Sequence, residues 1–583
     1  MPSQKRIYAL IISLFLCFSH FLNACAGISI PSPVVQSTIE GRPSATQELA
    51  TASPETSISV QPTATQLPST PRLEPSPTPS APCLVLDPNL PAKLSASLEA
   101  FQTEFQCLSS SQAKQELTFT KAGELSRWVY ALVAPFNTVT DDLAAKDLLE
   151  FWNGITEKPF TQLAMSGSTI AAMVSLFGEP KGVVSEQADG ALLDFSWQTT
   201  GTWAVVPFEA LEPRWKVISL DGNSPIRKDF DPQNYPLLAH IGLESPESAG
   251  PLNDRLQSLL VLTNRDPEKL TTVIVTGTTA LVRATAYAME QEGIDKPAAV
   301  IGVTLSQADI THVSNEISYS EDCPYPNPVA QSMRFCAPFS YNQVLEEVGT
   351  DVVDLTGDHF VDWGQEAAID TVDLYQSLGW QTFGGGKNLE EAQKPALFEV
   401  NGNKIAFVGC NAKHAYWNVA TAETPGALDC DTDFLHEQIR TLKNEGYTVI
   451  TTFQHYEDYG WFPDTALEYD MQQAALAGAD IVSGSQAHRP QVYTFSGPAQ
   501  QQFIHFGLGN LFFDQILLGN DCDRAFVDRH VVYDGKYISS EMLSIIFPNF
   551  LQPVWMTPKE RVFFLGTLHK YSDIYRNSLT NKP

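Results

Sequence analysis

Short apolar runs that end in Gly or a polar turn recur through the second half of the chain. They are TTVIVTG, AAVIGVT, DVVDLTG, KIAFVG, YTVITTF, ADIVSG and QFIHFG. Runs of this length between turn residues read as buried strands. Between several of them lie patterns of helical period: TALVRATAYAMEQEG, closed by Gly293, DTDFLHEQIRTLKNEG and ALEYDMQQAALAGA. Strands alternating with helices predict a layered α/β domain, placed at 269–530. Upstream, DDLAAKDLLEFWNG reads as a helix and WVYALVAPF and TWAVVPF as strands, which predicts a smaller α/β domain over 83–250. The remainder, 531–583, is expected to be a C-terminal extension, and YDGKYISSEMLSIIF within it has the pattern of a hairpin.

The first 82 residues follow a different logic. Lys5 and Arg6 precede an apolar run from Ile7 to Leu22, the length of a signal sequence and short for a membrane span. The run ends in LNAC, which resembles a bacterial lipobox, so residues 1–25 are expected to be a lipoprotein signal with Cys25 as the lipid anchor. Residues 26–82 are rich in Pro, Ser, Thr and Ala and cannot bury a core, so a disordered tether is expected. The protein is then exported and held on the outer face of the cell membrane.

Charge and cysteine content narrow the class. The 583 residues carry 67 acidic and 36 basic side chains, a formal charge of −31. Such a chain repels nucleic acid, which is excluded as a partner. Seven cysteines lie beyond Cys25, and export allows them to oxidise. Neighbours along the chain suggest Cys83–Cys107, Cys323–Cys336 and Cys410–Cys430, with Cys522 left over; spacing alone leaves other pairings open. The GGGKN stretch lacks the spacing and Ser/Thr of a P-loop, and no GxSxG elbow is present.

The candidate chemistry sits where the apolar runs end. Clusters of Asp, Asn, His and Glu on loops after strands are how metal-dependent phosphoesterases present ligands to divalent ions. Six such motifs occur in order: VIVTGTTALVRA, ADITHVSNEIS, LTGDHFVDWG, GGGKNLEEAQKP, GADIVSGSQAHRPQ and FIHFGLGNLFFDQ. In this order they resemble the CapA family of bacterial capsule and poly-γ-glutamate synthesis. The resemblance implies a metallophosphoesterase-like four-layer αββα sandwich. Phrases of the first domain, such as VVPFEALEPRWKVISLDG, loosely resemble periplasmic solute-binding proteins of the phosphate type.

Carried over residue by residue, the resemblance makes His359 the proton donor to a leaving group. Metal ligands would come from Glu316, Asp358, His455, Gln486 and His488. Thr278, Asp362, Glu457, Asn510 and Asp514 would support them as loop-orienting residues. The sequence also departs from the family pattern. Thr278 stands where the first ligand Asp is expected, Asp358 where an Asn is expected, and Gln486 where a His is expected. QHYEDYG can be aligned on His455 or on Glu457, and both cannot be carried over without a gap. One divalent ion (Mn, Fe, Zn or Mg) is therefore expected rather than two. The partners implied are a cell-envelope polymer or its precursors, other polymer-synthesis proteins, and the membrane through the lipid anchor. The alternative is an assembly protein that kept the fold and binds polymer without catalysis.

Overall fold

The structure is a computed structural model that describes residues 82–580 apart from 100–101, 111, 156–157, 246–248, 331, 458, 485 and 520. The signal sequence, Cys25 and the tether as far as residue 81 lie outside the described residues.

Alternation along the strands builds the central sandwich. Leu270–Val275 is buried along its whole length. Its side chains point alternately to the two faces of the sheet. Val273 and Val275 join one core cluster, and Ile274 joins another. The same split occurs in Asn403–Asn411, where Ile405 and Phe407 enter the first cluster while Ala406 and Val408 face away. The shared cluster is thus the seam between two sheets. One sheet runs, by neighbours, through Gln381–Phe383, Val352–Asp354, Ile310–Asn315, Leu270–Val275, Arg524–Tyr533 and Lys536–Ile546. The other runs through Ala396–Val400, Asn403–Asn411, Thr448–Gln454, Ile481–Ser483, Gln502–His505 and Tyr493–Ser496.

Helices cover both outer faces. Arg283–Glu292 and Gln365–Ser377 pack Ala286, Met289, Ala368, Val372 and Tyr375 on the first sheet. Thr432–Asn444 and Thr465–Ala477 pack Leu435, Ile439, Leu467 and Met471 on the second. The result is the expected four-layer αββα sandwich. The 83–250 region carries its own mixed sheet and core, and that core also takes in Leu270, Val531 and Tyr533 from the sandwich.

Two sequence expectations differ from the structure. AAVIGVT is turn followed by a short helix, Gly302–Leu305, rather than a strand. Its Ala298, Ile301 and Leu305 are spaced to share one helical face and pack on the outside of the first sheet. A short apolar run satisfies either period, and here the outer layer decided. The boundary at 530 falls inside Arg524–Tyr533, which pairs antiparallel with Leu270–Val275 and forms a hairpin with Lys536–Ile546. Residues past 530 therefore complete the first sheet. Pro558–Thr580 then sends Phe564, Leu565 and Leu568 into the inter-sheet core.

Cys83–Cys107, Cys323–Cys336 and Cys410–Cys430 are disulfides, and Cys522 is free and buried. The last two bridges staple the loops 323–336 and 410–430. Among the described residues no helix is long and apolar enough to cross a membrane. Replacing Cys323 and Cys336 together by Ser should lower stability by about 3 kcal/mol, the loop-closure entropy of a bridge this short. The check is the thermal midpoint without reductant, and amide exchange should quicken within 323–336.

Candidate functional site

The candidate residues gather at the C-terminal ends of parallel strands from both sheets. Glu316 follows Ile310–Asn315, and Asp358 and His359 follow Val352–Asp354. Glu457 follows Thr448–Gln454, and Gln486 and His488 follow Ile481–Ser483. Gly357 allows the first two loops to meet, because a Cβ there would lie 2.9 Å from the Glu316 Cα. Asn411 and Asn418 then tie the 356–361 loop to the other sheet. Asn411 Nδ2 donates to the Thr356 carbonyl (2.8 Å) and Asn418 Nδ2 to that of Gly357 (2.7 Å). The Val361 amide donates to Asn418 Oδ1 at 2.8 Å.

His359 is held as a donor. Its Nδ1 donates to Asp362 Oδ2 at 2.7 Å, and the Phe335 amide donates to the same oxygen at 3.0 Å. The imidazole also packs on the Phe335 ring, 4.6 Å between centroids. Burial pulls the His359 pKa down, but the Asp362 hydrogen bond and the carboxylates of Glu316 and Asp358 outweigh it and push it up to about 9. Asp362 orients His359 and does not cap the helix that follows, whose N-cap position is Gly364.

The centre of the cluster is a residue the motifs did not single out. Lys413 Nζ lies 2.6 Å from Asp358 Oδ2 and 2.8 Å from Glu457 Oε1. Asp358 Oδ1 also accepts from Gln454 Nε2 at 3.1 Å. The backbone fixes Lys413 from both sides. Its amide donates to Asn411 Oδ1 (3.0 Å), its carbonyl accepts from the Tyr456 hydroxyl (3.1 Å), and His414 turns the chain with a φ of 51°. Burial pulls the ammonium down, but Asp358 and Glu457 outweigh it and hold it above the usual lysine range. Burial likewise pushes both carboxyls up, and Lys413 outweighs it, leaving Asp358 and Glu457 below their usual range. A lone Lys directly after an apolar strand, in a chain this acidic, was the available signal for Lys413.

The remaining candidates divide. His488 Nδ1 donates to Asn510 Oδ1 (2.8 Å), and its Nε2 is 3.9 Å from Glu457 Oε1. Gln486 is buried, and neither of its amide atoms has a partner. Both oxygens of Glu316 are also buried and unpartnered, and burial pushes its pKa up to about 8. Thr278 is buried in the short strand that pairs with Asn510–Phe512. His455 turns to the helix Thr465–Ala477, its Nε2 3.3 Å from Asp470. The structure therefore brings Glu457, not His455, to the cluster. Asp514 pairs with Arg283 and accepts from the Ala284 amide, so it fixes the start of Arg283–Glu292. Cys25 lies outside the described residues.

These residues do not fit a metal centre. Among the described residues no group of three or more His, Cys, Asp or Glu is placed to hold an ion. Asp358 and Glu457 already converge on an ammonium, the first ligand position carries a hydroxyl, Thr278, and another an amide, Gln486, so Glu316 and His488 are the ligand-type side chains left beside them. The cluster opens into a cleft of about 580 Å³ whose lining includes Met333, Arg334, His359, Lys413, Trp417 and Glu457. Met333 and Arg334 come from the loop stapled by Cys323–Cys336, and Lys413 and Trp417 from the one stapled by Cys410–Cys430. Tyr416, Trp417 and Tyr456 are exposed beside this floor of paired charges.

Residues 272–515 match the model of a family described as Bacterial capsule synthesis protein PGA_cap. The chain is 26% identical over 293 residues to Capsule biosynthesis protein CapA of Bacillus anthracis, across 49% of this chain and 69% of the relative. It is 26% identical over 194 residues to PGA biosynthesis protein CapA of Bacillus subtilis (strain 168), across 33% of this chain and half of that one. The crystal structure of a 5'-nucleotidase precursor from Thermus thermophilus aligns with a TM-score of 0.31 at 13% identity, over 54% of this chain and 60% of that one.

His359 should remain an imidazolium through neutral pH and titrate near about 9, above its ordinary 6.5. The stability from its charge is then complete below about pH 6.5 and lost as pH rises through about 9. Asp362→Asn should bring the titration down toward the ordinary value, read from the His359 ring protons by NMR. An unmoved titration in that variant would remove Asp362 as the cause.

Proposed function

Residues 272–515 make this chain a member of the CapA capsule-synthesis family, and from that premise we propose that it is an exported lipoprotein of capsule or poly-γ-glutamate synthesis or export. In this reading lipid on Cys25 holds it to the outer face of the cell membrane, and the tether presents the folded part to the envelope. Its cleft takes the polymer or a phosphorylated precursor, alongside other proteins of polymer synthesis. The observation that carries the reading is the cleft itself. An oriented, charged His359 faces a rim of Met333, Arg334 and Trp417.

Such an imidazolium can pass a proton to the leaving oxygen or nitrogen of a bound chain. The exposed rings of Tyr416, Trp417 and Tyr456 offer flat surfaces for a polymer to lie against. A second reading has the same cleft bind polymer during assembly without breaking a bond. It is favoured by the pairing of Asp358 and Glu457 with Lys413, which leaves neither carboxylate free to activate water.

Deleting the gene in a polymer-producing host should reduce surface polymer, and the intact gene should restore it. Cys25→Ala should release the protein from the membrane fraction and restore less polymer. His359→Ala separates the two readings. Failure to restore polymer, with the protein folded and anchored, supports proton transfer. Full restoration supports binding alone. An unchanged polymer level on deletion would sink the assignment to polymer synthesis.

A further inference from the structure

Asp358 and Glu457 come from loops on different sheets, yet their oxygens meet at one point. That point is occupied by Lys413 Nζ, at 2.6 and 2.8 Å. The side chain is 11% exposed, so water does little to screen the two pairs. An ammonium has three N–H donors, and two of them serve these carboxylates. The third is left for a group entering the cleft that Lys413 lines. The placement of Lys413 is also built in, through Asn411, Tyr456 and the Cys410–Cys430 staple.

We propose that the ammonium of Lys413 is the resident cation of this site, standing where the two carboxylates would otherwise hold a divalent metal, and that the cleft works without one. A hard divalent ion needs several oxygen ligands free at once. Here it would have to displace Lys413 and strip it of both partners, while Thr278 and Gln486 add no charge and Glu316 is the one further carboxyl among the expected ligands. The motif position that supplies a His to the family carries Gln486, which agrees with this. The inference concerns the cation of the site and holds whichever polymer the cleft takes.

The test uses the full-length chain in detergent, equilibrated with Mn²⁺ and then freed of unbound ion. The parent chain should retain no stoichiometric Mn²⁺, and its melting temperature should not move with added Mn²⁺. Lys413→Ala frees Asp358 and Glu457. It should take up about one equivalent of Mn²⁺ per chain and melt higher when the ion is present. Adding Asp358→Asn to that variant should abolish the uptake. Lys413→Arg keeps a cation in place and should behave as the parent does. Retention of Mn²⁺ by the parent, with its loss in Asp358→Asn, would overturn the proposal whether or not Lys413→Ala folds. A folded Lys413→Ala that gains no Mn²⁺ would also overturn it, because the carboxylates would then not form a cation site.

Discussion

The site depends on one ion triad, the ammonium of Lys413 between Asp358 and Glu457. Its three members come from three loops at the same end of two facing sheets. Two carboxylates this close repel one another unless a cation lies between them. The sandwich can therefore bring the loops together only with something positive at the meeting point. In this chain the positive group is covalently part of the fold. That choice determines the rest of the local structure. It fixes how far the sheets' loops approach, ionises both carboxyls, and places a positive charge on the cleft floor beside His359.

Holding a lysine at such a point takes more than its charge, because its long side chain loses rotamer freedom when pinned. The structure answers this at the backbone. Asn411 and Tyr456 fix the amide and the carbonyl of Lys413, and His414 reverses the chain with a positive φ. The Cys410–Cys430 bridge closes the loop behind it. The opposite rim is built the same way. Cys323–Cys336 closes the loop that delivers Arg334 and Phe335, and Asp362 joins this loop to His359 by accepting from both Phe335 and the imidazole. Each rim loop therefore pairs one covalent staple with one polar anchor in the cluster.

How much of this was legible in the sequence depended on how local the cause is. Strand alternation is local, so the runs from TTVIVTG to QFIHFG could be read, and their order carried the fold. AAVIGVT misled because a short apolar run does not declare its period, and packing on the first sheet selected a helix. The break at 530 misled because Arg524–Tyr533 belongs beside Leu270–Val275, a partner from the other end of the domain. The place of Lys413 after an apolar strand was visible, but its pairing was not, since Glu457 lies 44 residues further on. The choice between His455 and Glu457 could not be made from spacing. It is settled by rotation at the end of Thr448–Gln454, which aims one side chain at Asp470 and the other at Lys413.

Glu316 shows what the triad does to the chemistry of the site. A buried carboxyl with no partner is costly as an anion, and burial pushes its pKa up to about 8, so at neutral pH it holds its proton. The neutral acid spares the cluster a third negative charge beside Asp358 and Glu457. With Glu316 neutral, the charged groups around the cleft are Asp358, Glu457 and Asp362 against Lys413, His359 and Arg334, three of each sign. For a cation bound between these carboxylates, ionisation of Glu316 and removal of Lys413 would reinforce each other. Removing the ammonium favours a bound cation, and a bound cation favours the ionised Glu316. The chain occupies the opposite corner of that cycle, with its positive charge carried by side chains and its mobile protons kept on Glu316 and His359.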